Sequence, residues 1–175
     1  MRVSRMKAFG GVSVAAGLLV ALMPGQASAE IGGSRIINER SGLCLEVADW
    51  RTDNGAPVRQ WPCSGGANQR WGFQQAELGR WRLVNVHSGK CLEVADWRKD
   101  PGAPVRQWDC TGQVNQRWDA VRSDSVADAP HEIRNVNSGQ CLEIGGWSTA
   151  WGAPANQWNC GAQQPNQVWH YFAVA

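Results

Sequence analysis

A carboxylate, two neighbouring carboxamides and several indoles recur three times in this chain, each time around a pair of cysteines. The first copy runs Ser41-Gly-Leu-Cys44-Leu-Glu46-Val-Ala-Asp-Trp50, then Gly55-Ala-Pro57, Trp61-Pro-Cys63 and Asn68-Gln69-Arg-Trp71. The second has Cys91-Leu-Glu93, Gly102-Ala-Pro104, Trp108-Asp-Cys110 and Asn115-Gln116-Arg-Trp118; the third has Cys141-Leu-Glu143, Gly152-Ala-Pro154, Trp158-Asn-Cys160 and Asn166-Gln167-Val-Trp169. Glycoside hydrolysis needs two carboxyl groups converging on one cleft, and covalent catalysis needs a nucleophile beside a base. Here the acids come one per copy. That distribution points to a binding chemistry offered in three places and away from an enzyme.

The cysteines carry a second chemistry. No Cys-x-x-Cys spacing occurs, and His87, His131 and His170 are not placed near matching cysteines, so neither a metal nor another cofactor is expected. Six cysteines in an exported chain read instead as three disulfides, which could pair in about 15 ways. Only Cys44 with Cys63, Cys91 with Cys110 and Cys141 with Cys160 treats the three copies alike. A closed loop of about 20 residues raises the free energy of the unfolded chain by about 3 kcal/mol in the loop-entropy account.

Export is read from the start of the chain. Arg2, Arg5 and Lys7 precede an apolar run from Ala8 to Met23, and Ala27-Ser28-Ala29 has the small-residue pattern of a cleavage site. Residues 1–29 are expected to be a signal peptide and 30–175 the mature, secreted chain, with no membrane span. The whole sequence holds 17 Lys+Arg against 15 Asp+Glu, but three of the basic residues belong to the leader, leaving 14 against 15. No charge run or basic stripe remains, which argues against nucleic acid as a partner.

The elements that must hold these groups are short strands. Arg82-Leu-Val-Asn-Val-His87 and Glu132-Ile-Arg-Asn-Val136 alternate apolar and polar residues, Ser-Gly marks a tight turn, and Cys-Leu-Glu-Val resumes the alternation. Val58–Trp61 and Val105–Trp108 give a third strand, and the segments around Trp71, Trp118 and Trp169 a fourth. No window keeps a helical period. Three copies of about four strands, none able to bury its own face alone, predict a closed all-β assembly with approximate threefold symmetry and lobes at about 34–79, 80–129 and 130–175.

The order Cys-Leu-acid, Trp-x-Cys, Asn-Gln-x-Trp, three times in register, resembles the ricin B-type lectins and the carbohydrate-binding modules related to them. The resemblance covers essentially all of the mature chain and implies a β-trefoil with a shallow sugar pocket on each of three pseudo-symmetric lobes. It also implies the ligand sets: Glu46, Arg59, Trp61, Asn68 and Gln69 in lobe one; Glu93, Arg106, Trp108, Asn115 and Gln116 in lobe two; Glu143, Asn156, Trp158, Asn166 and Gln167 in lobe three. A pyranose has an apolar C–H face and a rim of hydroxyls, so an indole can cover the face while carboxylate and amide meet the hydroxyls. Glycans are therefore the expected partner. A protein-interaction module, such as an inhibitor or toxin component on the same scaffold, is the alternative.

The chain departs from the family pattern in ways that bear on the sites. The acid is Glu where Asp is usual, and Arg59 and Arg106 stand where Gln is typical. Such an arginine either clamps the acid for sugar hydroxyls, or itself meets a carboxylate on an acidic sugar, or forms a structural ion pair that fills a retired pocket. Lobe three has Asn156 instead, Gly145-Gly146 in place of Ala-Asp, and one extra residue before Asn166, which could displace that amide. Trp71, Trp118 and Trp169 read as core. Trp50, Trp97 and Trp147 recur where the family does not usually have an aromatic, and Trp81 and Trp151 have no repeat partner.

Overall fold

The computed structural model describes residues 32–120, 130–162 and 164–173; the expected signal peptide lies outside them. Twelve strands form: β1 (Ser34–Asn38), β2 (Cys44–Val47), β3 (Val58–Trp61), β4 (Arg70–Glu77), β5 (Arg80–Asn85), β6 (Cys91–Val94), β7 (Val105–Trp108), β8 (Trp118–Ala120), β9 (His131–Asn135), β10 (Cys141–Ile144), β11 (Ala155–Trp158) and β12 (Val168–Ala173). The only helical elements among the described residues are three-residue 3-10 turns.

Six strands close on themselves. β1 pairs with β4, β4 with β5, β5 with β8, β8 with β9, β9 with β12 and β12 with β1, all antiparallel, so this ring has no free edge. The remaining strands form the hairpins β2–β3, β6–β7 and β10–β11, which cap one end. A six-stranded barrel with three hairpins, repeated with threefold symmetry, is a β-trefoil.

Trp71, Trp118 and Trp169 are fully buried, and each indole Nε1 donates to a backbone carbonyl 3.0 Å away, of Leu45, Leu92 and Leu142 respectively. This bond ties the Asn-Gln-x-Trp segment to Cys-Leu-Glu in every lobe and satisfies the one polar atom of a ring otherwise suited to the core. Around them pack Ile36, Leu45, Leu83, Leu92, Ile133 and Leu142. Trp81 joins the edge of this core against Phe73.

The hairpins lock to one another through a buried glutamine in each third strand. Gln60, Gln107 and Gln157 are completely buried. Each accepts a hydrogen bond from the serine of its own Ser-Gly turn, at 2.7, 2.6 and 2.6 Å, and donates Nε2 to two carbonyls of the preceding lobe. The three disulfides, Cys44–Cys63, Cys91–Cys110 and Cys141–Cys160, lie within the repeats as the cysteine spacing requires. Glu132 approaches the third pair, but both sulfurs there are already committed to each other.

Candidate functional site

Each acid projects from the first strand of a cap hairpin toward its cross-strand neighbour: Glu46 faces Arg59, Glu93 faces Arg106 and Glu143 faces Asn156. All three carboxylates are nearly buried. In lobe one, Glu46 Oε1 accepts from Arg59 Nε at 2.9 Å, while Oε2 accepts from Gln69 Nε2 at 2.9 Å and Asn68 Nδ2 at 3.3 Å. Lobe two repeats the pattern, with Glu93 accepting from Arg106 Nε at 2.9 Å, Gln116 at 3.0 Å and Asn115 at 3.3 Å. A carboxylate has about four acceptor positions, so three donors hold the acid while leaving it further capacity.

The arginines reach a second acid that the sequence reading did not single out. Arg59 Nη2 donates to Asp49 Oδ1, and Arg106 Nη2 to Asp96 Oδ1, both at 2.9 Å. The guanidinium carbons also lie over the indoles of Trp61 and Trp108, 4.4 and 4.5 Å from the ring centroids. The geometry therefore combines a planar ion pair with a cation–π contact.

Asp49 and Trp50 are consecutive residues in the left-handed backbone region, with φ of 53° and 54°, and Asp96 and Trp97 follow at 52° and 58°. Non-glycine residues rarely accept this conformation, and such strain concentrates at ligand-binding positions. The turn delivers an aspartate to the arginine and leaves an indole beside it that is about half exposed (Trp50 52%, Trp97 48%). A cavity of about 440 Å³ results in lobe one, lined by Glu46, Asp49, Trp50, Arg59, Trp61 and Asn68 among others. The lobe-two cavity, about 280 Å³, has the corresponding Glu93, Asp96, Trp97, Arg106, Trp108 and Asn115, with Gln113 standing where lobe one has Gly66. A side chain at Gly66 would meet Trp50, since a Cβ there would lie 2.8 Å from Cζ2 of that ring.

Lobe three keeps the acid and changes its surroundings. Glu143 Oε2 accepts from Asn166 at 3.1 Å and Gln167 at 3.2 Å, so the extra residue before Asn166 does not displace the amide. Across the hairpin it faces Asn156 rather than an arginine. Burial pushes the Glu143 carboxyl above its ordinary value, outweighing the two amide bonds that favour the ionised form. The glycines explain themselves here: a Cβ on Gly145 would stand 2.5 Å from Asn156 Nδ2. Gly146 takes the place of Asp49, so lobe three lacks both the cross-strand arginine and the second acid that it binds in the other lobes. Trp147 retains the left-handed backbone (φ 56°), and both Trp147 and Trp158 are exposed.

The indole-bearing turns are tied down by the next lobe, each with a different side chain. His87 Nε2 lies 3.0 Å from the Trp50 carbonyl, Asn137 Nδ2 donates to the Trp97 carbonyl at 3.3 Å, and Arg40 Nε donates to the Trp147 carbonyl at 2.8 Å. These three residues all precede the Ser-Gly turn, so position is repeated while residue type is not.

Barrel, hairpin cap and threefold acid–amide–indole arrangement define a β-trefoil of the lectin type. The chain belongs to the ricin-type β-trefoil lectin domain-like family, whose model matches residues 22–108, 67–158 and 114–175. Among solved structures it is similar to ThreeFoil, a designed threefold-symmetric protein, at 31% identity and a TM-score of 0.76, covering 82% of this chain and 99% of that one. It is similar to an exo-β-1,3-galactanase from Clostridium thermocellum at 30% identity and a TM-score of 0.75, covering 82% of this chain but only 30% of the galactanase. A ricin B-like lectin from Macrolepiota procera, solved with lactose, shares the fold at 19% identity and a TM-score of 0.67, over 82% of this chain and 96% of that one. No curated protein matches by sequence.

Proposed function

We propose that this chain is a secreted, non-catalytic carbohydrate-binding protein with one shallow site in each lobe. The observation that carries the reading is the strained Asp-Trp turn, which places a half-exposed indole beside a buried, hydrogen-bonded carboxylate in lobes one and two. A pyranose would lay its C–H face on Trp50 or Trp97 and direct its hydroxyls to the Glu–Arg–Asp network and the asparagine. In lobe three the platform is Trp147 or Trp158, with Glu143, Asn156 and Asn166 as the polar partners. Shallow sites bury little surface, so avidity for a polymer would come from three linked sites. Family membership, the lactose-bound relative and the three disulfides support this account, and export follows from the leader-like residues 1–29. The acids sit one per lobe, each engaged by amides, which suits binding better than bond cleavage.

The experiment is a glycan array probed with residues 30–175. Retention of at least one neutral or amino-sugar series, abolished by combined Trp50→Ala, Trp97→Ala and Trp147→Ala replacement, is the expected result. A second reading rests on one observation, the guanidinium lying over one face of Trp61 and of Trp108, the rings that the family resemblance assigns to sugar. If the sites are retired in favour of a protein partner, the array stays blank.

A further inference from the structure

Trp151 has no counterpart in the other repeats: Asn54 and Pro101 hold its place before Gly55 and Gly102. At 68% it is the most exposed tryptophan of the chain, and its ring lies 6.0 Å from that of Trp61, tilted by 55°. The turn that carries it is pinned to the neighbouring lobe. Gln60 Nε2 donates to the carbonyls of Ser148 and Ala150 at 3.0 and 2.9 Å, Gly152 N donates to Gln60 O at 2.9 Å, and Gln60 N donates to Ala153 O at 3.0 Å. Gly152, at φ +81°, lets the chain pass close to Trp61, since a Cβ there would stand 3.4 Å from Cζ3 of that ring. The same clamp operates through Gln107 and Gln157, but it sets Asn54 beside Asp109, to which it is hydrogen-bonded, and brings Pro101 to that place in the turn facing Trp158. Lobe three thus donates a second indole to lobe one, and no other lobe receives one.

We propose that Trp151 extends the lobe-one site to a second sugar unit, so that lobe one selects an oligosaccharide chain while lobes two and three take single residues. This rests on the carbohydrate reading above. The extension is continuous with the site, because Trp61 both lines the lobe-one cavity and abuts Trp151. A pyranose seated beside Glu46 and Asp49 would send its glycosidic neighbour along Trp61 toward Trp151, where a bare indole face meets the C–H face of the next ring. The four hydrogen bonds that fix the turn, two from the Gln60 side chain and two between backbones, remove the ordering cost that a mobile aromatic would carry on binding.

The test uses solution titration in a Trp97→Ala, Trp147→Ala background, so that lobe one dominates the signal. The probes are the monosaccharide and tetrasaccharide of the β-galactan, xylan, mannan, glucan and chitosan series. With Trp151 present, the tetrasaccharide of at least one series should bind ~10-fold more tightly than its monosaccharide, the scale of one lost aromatic contact. Trp151→Asn, which installs the residue that lobe one's own turn carries at Asn54, should bring the tetrasaccharide down to the monosaccharide level with the melting temperature unchanged. Trp50→Ala should weaken both probes. Retention of the tetrasaccharide preference in Trp151→Asn would overturn the second subsite. Binding of no member of any series, by this background or by the unaltered protein, would overturn the carbohydrate reading and the subsite together.

Discussion

The guanidinium of Arg59 lies 4.4 Å over the indole of Trp61, and the same arm ties Glu46 to Asp49. Its position gives one side chain three jobs: neutralising a nearly buried carboxylate, orienting an exposed one and covering a ring face. Lobe two reproduces every contact through Arg106. Where lobe three replaces the aspartate by Gly146, it also replaces the arginine by Asn156. Acid and arginine thus appear and vanish together, as expected of groups that serve one network.

Removing Arg59 should destabilise the fold and alter lobe one. Glu46 would keep its two amide donors and lose the only cation paired with it among the described residues, leaving an under-compensated charge at a side chain that is 4% exposed. Arg59→Ala is expected to lower unfolding free energy by about 1–3 kcal/mol, the range for a hydrogen bond to a buried charged group. Urea denaturation at neutral pH measures it. The companion Arg59→Ala, Glu46→Gln protein should recover most of the loss, and a double variant no better than the single would show that the arginine matters through its packing on Trp61.

Lobe three supplies the contrasting pH behaviour. Burial raises the folded-state value of Glu143 above the ordinary 4.5, so the folded state holds the proton more tightly than the unfolded state. Stability from this group is fully present below about pH 4.5 and is lost as pH rises through the raised value. Glu143→Gln keeps an acceptor for Asn166 and Gln167 without the charge. The variant should therefore gain on the unaltered protein as pH rises from 4 to 7 in denaturant titrations. A constant difference across that range would count against the assignment.

The repeats made the fold legible because every structural role is written three times. Core tryptophans and the disulfide pairing follow from positions that recur with their residue types intact, and the third strand of lobes one and two from an identical Val-Arg-Gln-Trp run. The site was legible only in part. Asp49 and Asp96 sit in an Ala-Asp-Trp run that recurs in lobes one and two, yet nothing local announces that two successive non-glycine residues will turn left-handed and bring the acid to the arginine. Arg40, His87 and Asn137 escape notice because one geometric role is filled by three chemistries. The extra residue before Asn166 leaves the local bonding there unchanged, Gln167 N donating to Gln164 O at 2.8 Å as Gln69 N does to Gly66 O at 3.0 Å.

The anchor residues give a test of the turns themselves. His87 touches Trp50 twice, through the carbonyl and through an edge contact with ring centroids 5.0 Å apart. It lies near the surface, so His87→Ala should change the melting temperature little while weakening ligand binding at lobe one several-fold, about 1 kcal/mol for a partly exposed contact. Arg40→Ala should act in the same way on lobe three. Isothermal titration with the ligand found on the array reads both, and equal affinity in all variants would detach the Trp turns from binding.

The sharpest division is between the two sets of recurring indoles. Trp61 and Trp108 carry a guanidinium on one face, whereas Trp50 and Trp97 stand about half exposed over the cavities. If the exposed set supplies the platforms, Trp50→Ala should remove about 1–3 kcal/mol of binding at its lobe, as for other aromatic platforms. Trp61→Ala should instead reduce stability as well as binding, because the ring packs on Arg59 and on the turn at Gly152. Retention on a polymeric glycan should then fall steeply from single to triple replacement of Trp50, Trp97 and Trp147, since linked weak sites multiply their effect. Polysaccharide affinity electrophoresis of the series, with melting temperature as the folding control, makes the comparison. A folded triple variant of the exposed set that still binds at full strength would return the platform role to Trp61, Trp108 and Trp158.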